Sequence, residues 1–487
     1  MEKQVTERGN SALAVKSGVW YVVGTFITKG LAFLTTPLFA RLMLPSDYGE
    51  FINFANWQSL LLIIVSAELF NTLSRAYYDY TEEYDQYASS VVILGVLLNI
   101  FFYVFFLVSR SWIFNIVAIP EKYVHLMFFV MLMQGARQVY QVKERTLYRY
   151  KSSAAVSVLS SVIPTVISIF IVLLVPTTDR LDARMYGFYI PYALIGIYCI
   201  FALLRNKVSF RWSHCKYAIV LALPLLVHYL TTYLLSSTNT IITKSCLGAE
   251  IAAMVSIAVS IMNILILLFQ AASGALTTWI MDNLEKNNAA SVRKCINYCA
   301  AAVVVICMAI MILAPELVLI IGGAKYKAAA FLIPGLTLAV FFQILSTFFT
   351  IVLTYRKKVV GTAVLTGVVA VISVLSRLYL LPRFGVSILP LVNAVSFGIV
   401  FLLNYLLIVK GGDAKCFQMK LILPMIAVVV LAAFACQYLY YNAIFRYAIC
   451  GVCGTTIFVG LIIKREFWLS TLKRGLHNHS AIQPSGL

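Results

Sequence analysis

The sequence predicts an all-α, polytopic membrane protein, on the evidence of its composition and of the length of its apolar runs. Of the 487 residues, 61% are hydrophobic and only 12% are charged, and the mean hydropathy is +0.90. A soluble globular domain has about twice this charged fraction. The apolar residues form continuous runs of the length that a helix needs to cross a bilayer, rather than the alternating pattern of a membrane β-barrel.

About fourteen of the apolar runs are long enough to be transmembrane helices, and we number them as spans 1 to 14. In chain order they lie near residues 17–40, 50–73, 88–108, 120–141, 153–175, 186–204, 217–241, 251–280, 295–321, 329–354, 360–381, 387–409, 419–440 and 444–463. Spans 1 to 12 are predicted to form two lobes of six helices each, and spans 13 and 14 are two extra C-terminal helices.

The basic residues predict the orientation of these spans. With a cytoplasmic N-terminus, the cytoplasmic segments hold 25 of the 38 lysines and arginines, and the outer loops hold ten. Cytoplasmic loops of membrane proteins carry an excess of basic residues, so both termini are predicted to be cytoplasmic. This placement accounts for the formal net charge of +19 without a nucleic-acid partner.

A short internal similarity indicates that the two lobes are repeats. Residues 41–47 (RLMLPSD) and residues 244–250 (KSCLGAE) each have a base, a leucine three positions later and an acid at the end, at an offset of 203 residues. Each segment follows the first span of a lobe, on the outer side. Because six spans separate the two segments, both lobes start from the cytoplasmic side, and the repeats have parallel topology.

These observations predict how the chain is divided. The predicted parts are the N-terminal lobe at 1–206, a cytoplasmic linker at 207–216, the C-terminal lobe at 217–410, the two extra helices at 417–464 and a cytoplasmic tail at 465–487. The connections between spans are short, which leaves little room for the extramembrane domain that a glycan-transferring enzyme usually has.

The N-terminal pattern of residues 16–51 (KSGVWYVVGTFITKGLAFLTTPLFARLMLPSDYGEF) and the arrangement of twelve repeat-related spans plus two resemble the polysaccharide-lipid exporters of the multidrug/oligosaccharidyl-lipid/polysaccharide flippase superfamily. The turn PSDYG at 45–49 is the most family-like part, and ALPL at 222–225 begins its counterpart in the second lobe. The resemblance covers about residues 15–410.

The resemblance implies a function. Members of this family, O-antigen flippases among them, move undecaprenyl-pyrophosphate-linked oligosaccharides across the bacterial inner membrane. For this chain it therefore implies alternating access of the two lobes, driven by an ion gradient, in the assembly of lipopolysaccharide or a similar surface polysaccharide. The implied partners are the lipid-linked oligosaccharide, membrane lipids and other polysaccharide assembly proteins.

Lys29 lies near the middle of span 1, where a charged side chain costs about 2.5–3.5 kcal/mol at the bilayer centre. One interpretation is a cation in a water-filled cavity between the lobes that binds the pyrophosphate of the lipid carrier, because phosphates removed from bulk water need a fixed positive charge. The other interpretation is a lysine that extends to the interface or pairs with an acid.

Arg41 and Lys244 lie near the outer ends of spans 1 and 7. They either bind the substrate at the outer mouth, or anchor the helix ends and pair locally with Asp47 and Glu250. Arg377, near the outer end of span 11, is predicted to extend its side chain to the interface.

Glu68 is the one clear acid within a predicted span, and Asn71 and Arg75 are predicted to share its helical face. An intramembrane carboxylate can couple export to a proton gradient. The alternative is a structural ion pair with Lys29 or Arg75.

Polar residues at helical spacing follow two further spans. They are Gln134, Arg137, Gln138 and Gln141 on span 4 and Ser256, Ser260, Asn263 and Gln270 on span 8. Such stripes face either a wet cavity, where they suit sugar hydroxyls, or a polar seam between helices. The candidate substrate-binding residues from these two stripes are Gln134, Arg137, Gln138, Asn263 and Gln270.

The sequence contains no nucleotide-binding loop and no metal-ligand spacing, so no enzyme activity, cofactor or metal is predicted. The nearest alternative function is a cation-coupled small-molecule (multidrug) antiporter of the same superfamily, which predicts acids rather than cations deep in the first lobe. An alternative of another class is a membrane glycan polymerase or ligase, which predicts a large outer loop with arginines or catalytic acids.

Overall fold

The computed structural model describes residues 11–109, 119–205, 208–356, 358–442 and 444–448. Most of these residues are helical, and we number the α-helices in chain order. They are α1 (Ser11–Leu42), α2 (Pro45–Val65), α3 (Leu73–Asp79), α4 (Tyr84–Val108), α5 (Glu121–Thr146), α6 (Tyr150–Leu174), α7 (Arg180–Leu204), α8 (Trp212–Ser236), α9 (Asn239–Leu247), α10 (Ala249–Glu285), α11 (Ala289–Ile312), α12 (Ala314–Ile321), α13 (Ile333–Tyr355), α14 (Val359–Phe384), α15 (Leu389–Lys410) and α16 (Met419–Leu439). Short 3₁₀ segments lie at Leu69–Thr72, Thr177–Asp179, Ala324–Leu332, Val386–Ile388 and Ala414–Cys416.

The predicted all-α, polytopic fold is confirmed, but the count of about fourteen spans is not. In the described part of the chain, ten helices are long and apolar enough to cross a membrane, and the bent pair α2–α3 makes eleven. Helices α1 and α5 correspond to spans 1 and 4 and are not among them; α5 carries basic residues as far inside as Arg137. Span 14 lies outside the described residues, apart from positions 444–448.

Successive long helices are joined by short connections, so each runs antiparallel to the one before it. The bundle therefore has two ends. We call the end at which α1 stops and α2 begins the Pro45 end, and the opposite end, at which α7 stops and α8 begins, the Arg211 end. The chain has six long helices from α1 to α7 (the first half) and six from α8 to α15 (the second half). The predicted lobe boundaries stay predictions.

The two halves meet closely at the Pro45 end. The second helices of the halves, α2 and α10, approach so closely that a Cβ on Gly49 would lie 2.0 Å from the carbonyl oxygen of Ala249. Lys244 Nζ lies 2.5 Å from Glu50 Oε2, with the lysine side chain only 8% exposed. Apolar residues of the first half, Phe39 among them, also pack into the large core of the second half. The Pro45 end is therefore closed.

The end of α1 is held at the same closure. Arg41 Nη2 donates to the carbonyl oxygen of Ile320 at 2.8 Å, at the C-terminus of α12. In return, Lys325 Nζ donates to the carbonyl oxygens of Arg41 (3.3 Å) and Met43 (3.2 Å). The last carbonyl groups of a helix have no partner within the helix and carry partial negative charge. These cations therefore stabilise both helix ends and join the two halves.

At the Arg211 end, the first turns of α8 pack into the first half. Arg211 Nη1 lies 2.5 Å from Glu83 Oε1, His214 Nε2 lies 3.3 Å from Glu83 Oε2, and the Tyr217 hydroxyl donates to Asp79 at 2.5 Å. The hydrogen bond from Arg211 is the main cause that lowers the pKa of the Glu83 carboxyl below its usual value. Helix α8 therefore belongs to the first half at its start and to the second half, around Leu235, at its end.

Span 2 is broken at Glu68. Ala67 and Glu68 adopt left-handed backbone conformations, with φ of 45° and 56°, and the helices on either side differ in direction by 52°. The break separates Glu68 from the helical face that it was predicted to share with Arg75, which pairs instead with Asp79 at 3.2 Å. Asn71 Nδ2 donates to Glu68 Oε2 at 2.7 Å.

Arg377 is fully buried on α14, so the prediction that its side chain reaches the interface is wrong. Its guanidinium donates to Thr238 Oγ1 (2.8 Å), to the carbonyl oxygen of Leu235 (3.1 Å) and to Ser373 Oγ (2.7 Å). Polar groups in and just after the last turn of α8, together with Ser373 on α14 itself, replace water around the charge, which makes a buried arginine tolerable.

Substituting Gly49 tests the contact that closes the Pro45 end. Gly49→Ala should lower the free energy of unfolding by about 1–3 kcal/mol, because the added methyl group overlaps the backbone of α10. Gly95→Ala on α4 is the matched control, since no atom lies within 4 Å of its added Cβ; it should stabilise the protein by about 0.5–1 kcal/mol. Thermal unfolding of the purified protein in detergent measures both. A Gly49→Ala variant as stable as the control would contradict the close approach.

Candidate functional site

Three cavities lie between the helices and adjoin one another. The first and second share Ile52 as a lining residue. The second and third share Thr232, Ser236, Gln343 and Phe397. Together they extend from the first half into the second.

The first cavity, which we call the arginine cavity, has a volume of about 490 Å³ and lies between α1, α2, α5, α6 and α7. Arg137 and Arg184 line it, together with aromatic rings and hydroxyl groups. The rings are those of Phe39, Tyr48, Phe51, Phe188, Tyr189 and Tyr192. The hydroxyl groups are those of Thr28, Thr35, Thr36, Ser157, Ser160, Ser161 and Thr165.

Arg184 on α7 is 7% exposed and enclosed by rings. Its guanidinium carbon lies 3.5 Å from the ring centroid of Phe39, 4.5 Å from that of Phe51 and 5.0 Å from that of Phe188. Nη1 donates to Ser168 Oγ at 2.9 Å, and Nε is buried without a hydrogen bond to any described residue. Cation–π contacts stabilise the charge, but they do not neutralise it.

Arg137 on α5 is positioned by two hydrogen bonds, from Nη1 to Gln141 Oε1 (2.9 Å) and from Nη2 to the Tyr192 hydroxyl (2.7 Å). The Tyr192 ring stacks on Phe188, with centroids 6.1 Å apart and an interplanar angle of 17°. Since Arg184 lies over the other ring of this pair, the two guanidinium groups flank a stacked pair of aromatic rings. Residues 184, 188 and 192 share one face of α7 because they are spaced by four.

The arginine cavity carries net positive charge. Among the described residues that line it, none is acidic. Two carboxylates of the Pro45 end are paired with other cations: Glu50 with Lys244, and Asp182 with Lys122 at 2.7 Å. Unpaired guanidinium groups in a cavity of low polarity favour an anion, and phosphate oxygens suit their planar array of donors.

The second cavity, the amide cavity, has a volume of about 440 Å³ and lies between the two halves. Its distinguishing side chains are the amides of Asn56, Asn239, Asn263, Gln270, Gln343 and Asn393. Hydroxyl groups of α8 and α10 complete its polar surface, and Ser256 and Ser260 are among them. The two predicted residues of span 8, Asn263 and Gln270, therefore line the same cavity.

The third cavity, the hydroxyl cavity, is the largest at about 780 Å³ and lies within the second half, between α8, α13, α14 and α15. Its polar lining consists mainly of hydroxyl groups, from Thr231, Thr232, Ser236, Ser346, Thr347, Thr350, Thr362 and Thr366. His228, Gln343 and Asn404 also line it, and its other walls are mainly apolar.

Lys29 lies at the boundary between the first two cavities. Its neighbours Thr28 and Leu31 line the arginine cavity, while its Nζ donates to Gln270 Oε1 of the amide cavity at 3.0 Å. The bond joins α1 to α10 across 241 positions of sequence. Two predicted site residues, one from each half, are thus brought into contact.

The other predicted residues lie elsewhere. Arg41 and Lys244 take part in the contacts that close the Pro45 end. Gln134 Oε1 accepts from Gln58 Nε2 at 2.8 Å, in a seam between α2 and α5. Gln138 Oε1 is buried without a hydrogen bond to a described residue. Glu68 is buried at the bend of span 2, and no basic group of the described chain pairs with it.

Sequence reasoning missed Arg184 because the residue was assigned to the outer loop before span 6. The helix begins earlier, at Arg180, which places position 184 inside it. The signal that could have found it is the spacing of an arginine and two aromatic residues at 184, 188 and 192. In the described part of the chain, no cluster of three or more His, Cys, Asp or Glu side chains could hold a metal ion.

Two halves of six long helices around polar cavities define a multi-pass membrane protein of the transporter type. The sequence matches the family described as "Polysaccharide biosynthesis protein" over residues 14–277, more than half of the chain. The chain belongs to that family, and the resemblance stated from residues 16–51 is confirmed. No curated protein matches the sequence.

Solved structures share the fold at low identity. The lipid II flippase MurJ in an inward closed conformation superposes with a TM-score of 0.68 and 14% identity, over 92% of this chain and 99% of that chain. An inward-facing multidrug resistance MATE family transporter of the MOP superfamily gives 0.61 and 14%, over 81% and 98%. A MOP superfamily transporter from Pyrococcus furiosus, described as having a binding pocket of reverse polarity, gives 0.52 and 14%, over 83% and 96%.

Replacing Arg184 separates a binding role from a packing role. Arg184→Met should leave the thermal stability unchanged or raise it, because an unpaired buried charge is replaced by a flexible apolar chain of similar length. The control is Arg180→Met, which removes the donor to the Leu42 carbonyl and should cost about 1–3 kcal/mol. Thermal unfolding in detergent distinguishes the two. A larger loss for Arg184→Met than for Arg180→Met would mean that Arg184 serves packing alone.

Proposed function

We propose that the protein is a flippase for an undecaprenyl-pyrophosphate-linked oligosaccharide, the repeat unit of a surface polysaccharide such as O-antigen. The observation that carries this proposal is the pair of arginines in one cavity that have no carboxylate partner among the described residues. A pyrophosphate headgroup supplies the negative charge that this cavity lacks, and the polyprenyl chain remains in lipid while the headgroup crosses. The family of polysaccharide biosynthesis proteins supports the same substrate class.

The proposed translocation uses the two ends of the bundle in turn. By the distribution of basic residues, the Arg211 end faces the cytoplasm of the bacterial inner membrane. With the Pro45 end closed, the headgroup enters from the cytoplasmic side and its phosphates bind Arg137 and Arg184, with Lys29 beside them. The periplasmic side then opens when Lys244 separates from Glu50 and Arg41 leaves the end of α12.

Glu68 is the candidate for ion coupling. Its carboxylate is buried with one donor, Asn71, and no basic partner among the described residues. A buried carboxylate in this position is stabilised when it binds a proton or a monovalent cation. Because Glu68 lies at the bend of span 2, binding of an ion there would change the direction of α3. Helix α3 packs against other helices of the first half, near α8.

Ligand binding tests the substrate class. Wild-type protein in lipid nanodiscs should bind undecaprenyl pyrophosphate more tightly than undecaprenol. The double substitution of Arg137 and Arg184 by Gln should remove at least about 100-fold of that preference, since each charged hydrogen bond contributes about 1.5–3 kcal/mol. The exposed Arg75→Gln is the matched control and should bind as wild type does.

Three outcomes would contradict the proposal. Equal binding of undecaprenol and undecaprenyl pyrophosphate would show that the arginine cavity is not an anion site. Tight binding of a lipophilic cation that undecaprenyl pyrophosphate does not displace would favour the multidrug antiporter. Glycan polymerisation by the purified protein would favour the polymerase or ligase in place of a transporter.

A charge exchange tests the periplasmic closure. Lys244→Glu alone should weaken closure, because it replaces the ion pair with two carboxylates that face each other in a largely buried site, and should lower flipping in proteoliposomes at least about tenfold. The exchanged pair Lys244→Glu with Glu50→Lys should recover most of the activity. If the exchanged pair is no more active than the single variant, the ion pair is not the element that closes this side.

A further inference from the structure

We propose that the amide cavity and the hydroxyl cavity form one site for uncharged, hydroxyl-bearing sugars, and that this site discriminates against sugars that carry a carboxylate. The inference rests on the proposed function, because it assigns the sugar part of the same cargo. It adds a selectivity that neither the fold nor the family supplies.

The first observation is the convergence of amide side chains. Six of them reach the amide cavity from α2, α9, α10, α13 and α15. A primary amide offers two N–H donors and a carbonyl acceptor in one plane, so one amide can pair with adjacent sugar hydroxyls in both senses. No charged residue is among the described residues that line either cavity.

Much of this hydrogen-bonding capacity is unused within the protein. Asn393 Nδ2 donates to Asn239 Oδ1 (3.1 Å) and to the carbonyl oxygen of Leu389 (3.0 Å). The side-chain amino group of Asn239 and the side-chain carbonyl oxygen of Asn393 remain without a hydrogen bond to a described residue. Within the described chain, the side chains of Asn263 and Gln343 make no hydrogen bond, although both line the cavity. These groups are available to a ligand.

The second observation is the direction of the hydroxyl groups. Many of those that line the two cavities donate their proton to a backbone carbonyl one turn earlier on their own helix. Examples are Thr232 to His228 (2.9 Å), Ser236 to Thr232 (2.8 Å), Ser260 to Ser256 (2.8 Å), Thr347 to Gln343 (3.0 Å), Thr350 to Ser346 (3.0 Å) and Thr366 to Thr362 (2.8 Å). A hydroxyl whose proton is used in this way presents lone pairs to the cavity.

A wall of acceptor oxygens accepts hydrogen bonds from a sugar, because each sugar hydroxyl carries a proton to donate. It repels a carboxylate, which only accepts hydrogen bonds at neutral pH. Beyond the first sugar, which lies near Lys29, a carboxylate in these cavities would lose its hydration without gaining a cation, and an unpaired buried charge is costly. Sugars with hydroxyl and acetamido groups match the surface, and uronic acids do not.

The position of the arginine cavity determines how the cargo is oriented when it binds. It adjoins the amide cavity at Ile52, and Lys29 lies between the two. With the pyrophosphate at Arg137 and Arg184, the first sugar lies near Lys29 and Gln270. The following sugars then occupy the amide cavity and, for a longer repeat unit, the hydroxyl cavity.

Binding to nanodisc-embedded wild-type protein tests the inference with three probes. They are undecaprenyl pyrophosphate alone, the same lipid with N-acetylglucosamine and glucose, and the same lipid with N-acetylglucosamine and glucuronic acid. The neutral disaccharide should bind at least about tenfold tighter than the lipid alone, the equivalent of about one net hydrogen bond to the site. The acidic disaccharide should bind at least about tenfold weaker than the neutral one.

Variants assign the effect to the cavity. Gln343→Leu should remove the gain from the neutral disaccharide and leave binding of the sugar-free lipid unchanged, which a general folding defect would not do. Asn263→Lys, at an exposed position of the cavity wall, should raise the affinity for the acidic disaccharide. Asn283→Leu, the same kind of change near the far end of α10, is the control and should behave as wild type.

Three outcomes would overturn the inference. Equal affinities for the acidic and neutral disaccharides would remove the selectivity. If the lipid with the neutral disaccharide binds no tighter than the sugar-free lipid, the proposed sugar site is wrong. The proposed flippase function would still hold in that case, because the sugar-free lipid binds through the arginines. A sugar-free lipid that binds no tighter than undecaprenol would contradict the proposed function as well.

Discussion

The contact between Gly49 and Ala249 is the constraint on which the other features depend. It places the starts of α2 and α10 against each other without intervening side chains, and this brings the next two turns of α2 to the second half. Asn56 can then line the amide cavity and accept a hydrogen bond at its carbonyl oxygen from Tyr233 (2.7 Å). The cavity between the halves exists because the backbones meet at one end and separate beyond it.

The pairing of charged side chains at the ends of the bundle affects the charge of the cavities between them. At each end a carboxylate is paired with a cation, Glu50 with Lys244 and Glu83 with Arg211. These two carboxylates are therefore not free to neutralise Arg137 and Arg184. The arginine cavity thus keeps its positive charge and the hydroxyl cavity keeps its acceptor oxygens, and an ion pair in either cavity would remove that difference.

The fold class could be predicted from the sequence because the length and continuity of apolar runs are local properties. Two features of the site could not. Arg184 was assigned to a loop because helix starts depend on tertiary contacts, here those of α7 with α6 and α5. The bend at Glu68 depends on left-handed backbone conformations, and no glycine or proline marks this position in the sequence. By contrast, Asn263 and Gln270 could be identified because the spacing of polar residues along one long helix is visible in the sequence. The contact of Lys29 with Gln270 depends on tertiary packing and could not.

The predicted repeat would explain why one chain provides two kinds of surface. At the offset that relates residues 41–47 to 244–250, Lys29 corresponds to Thr232. In the structure Lys29 lies beside the arginine cavity, while Thr232 lines both the amide and the hydroxyl cavity with its proton donated to His228. The two positions that the predicted repeat relates thus hold a cation in one half and an acceptor in the other. A cargo with phosphates at one end and sugar hydroxyls at the other needs that asymmetry, because a symmetric pair of cationic cavities would leave its sugars facing unpaired charge.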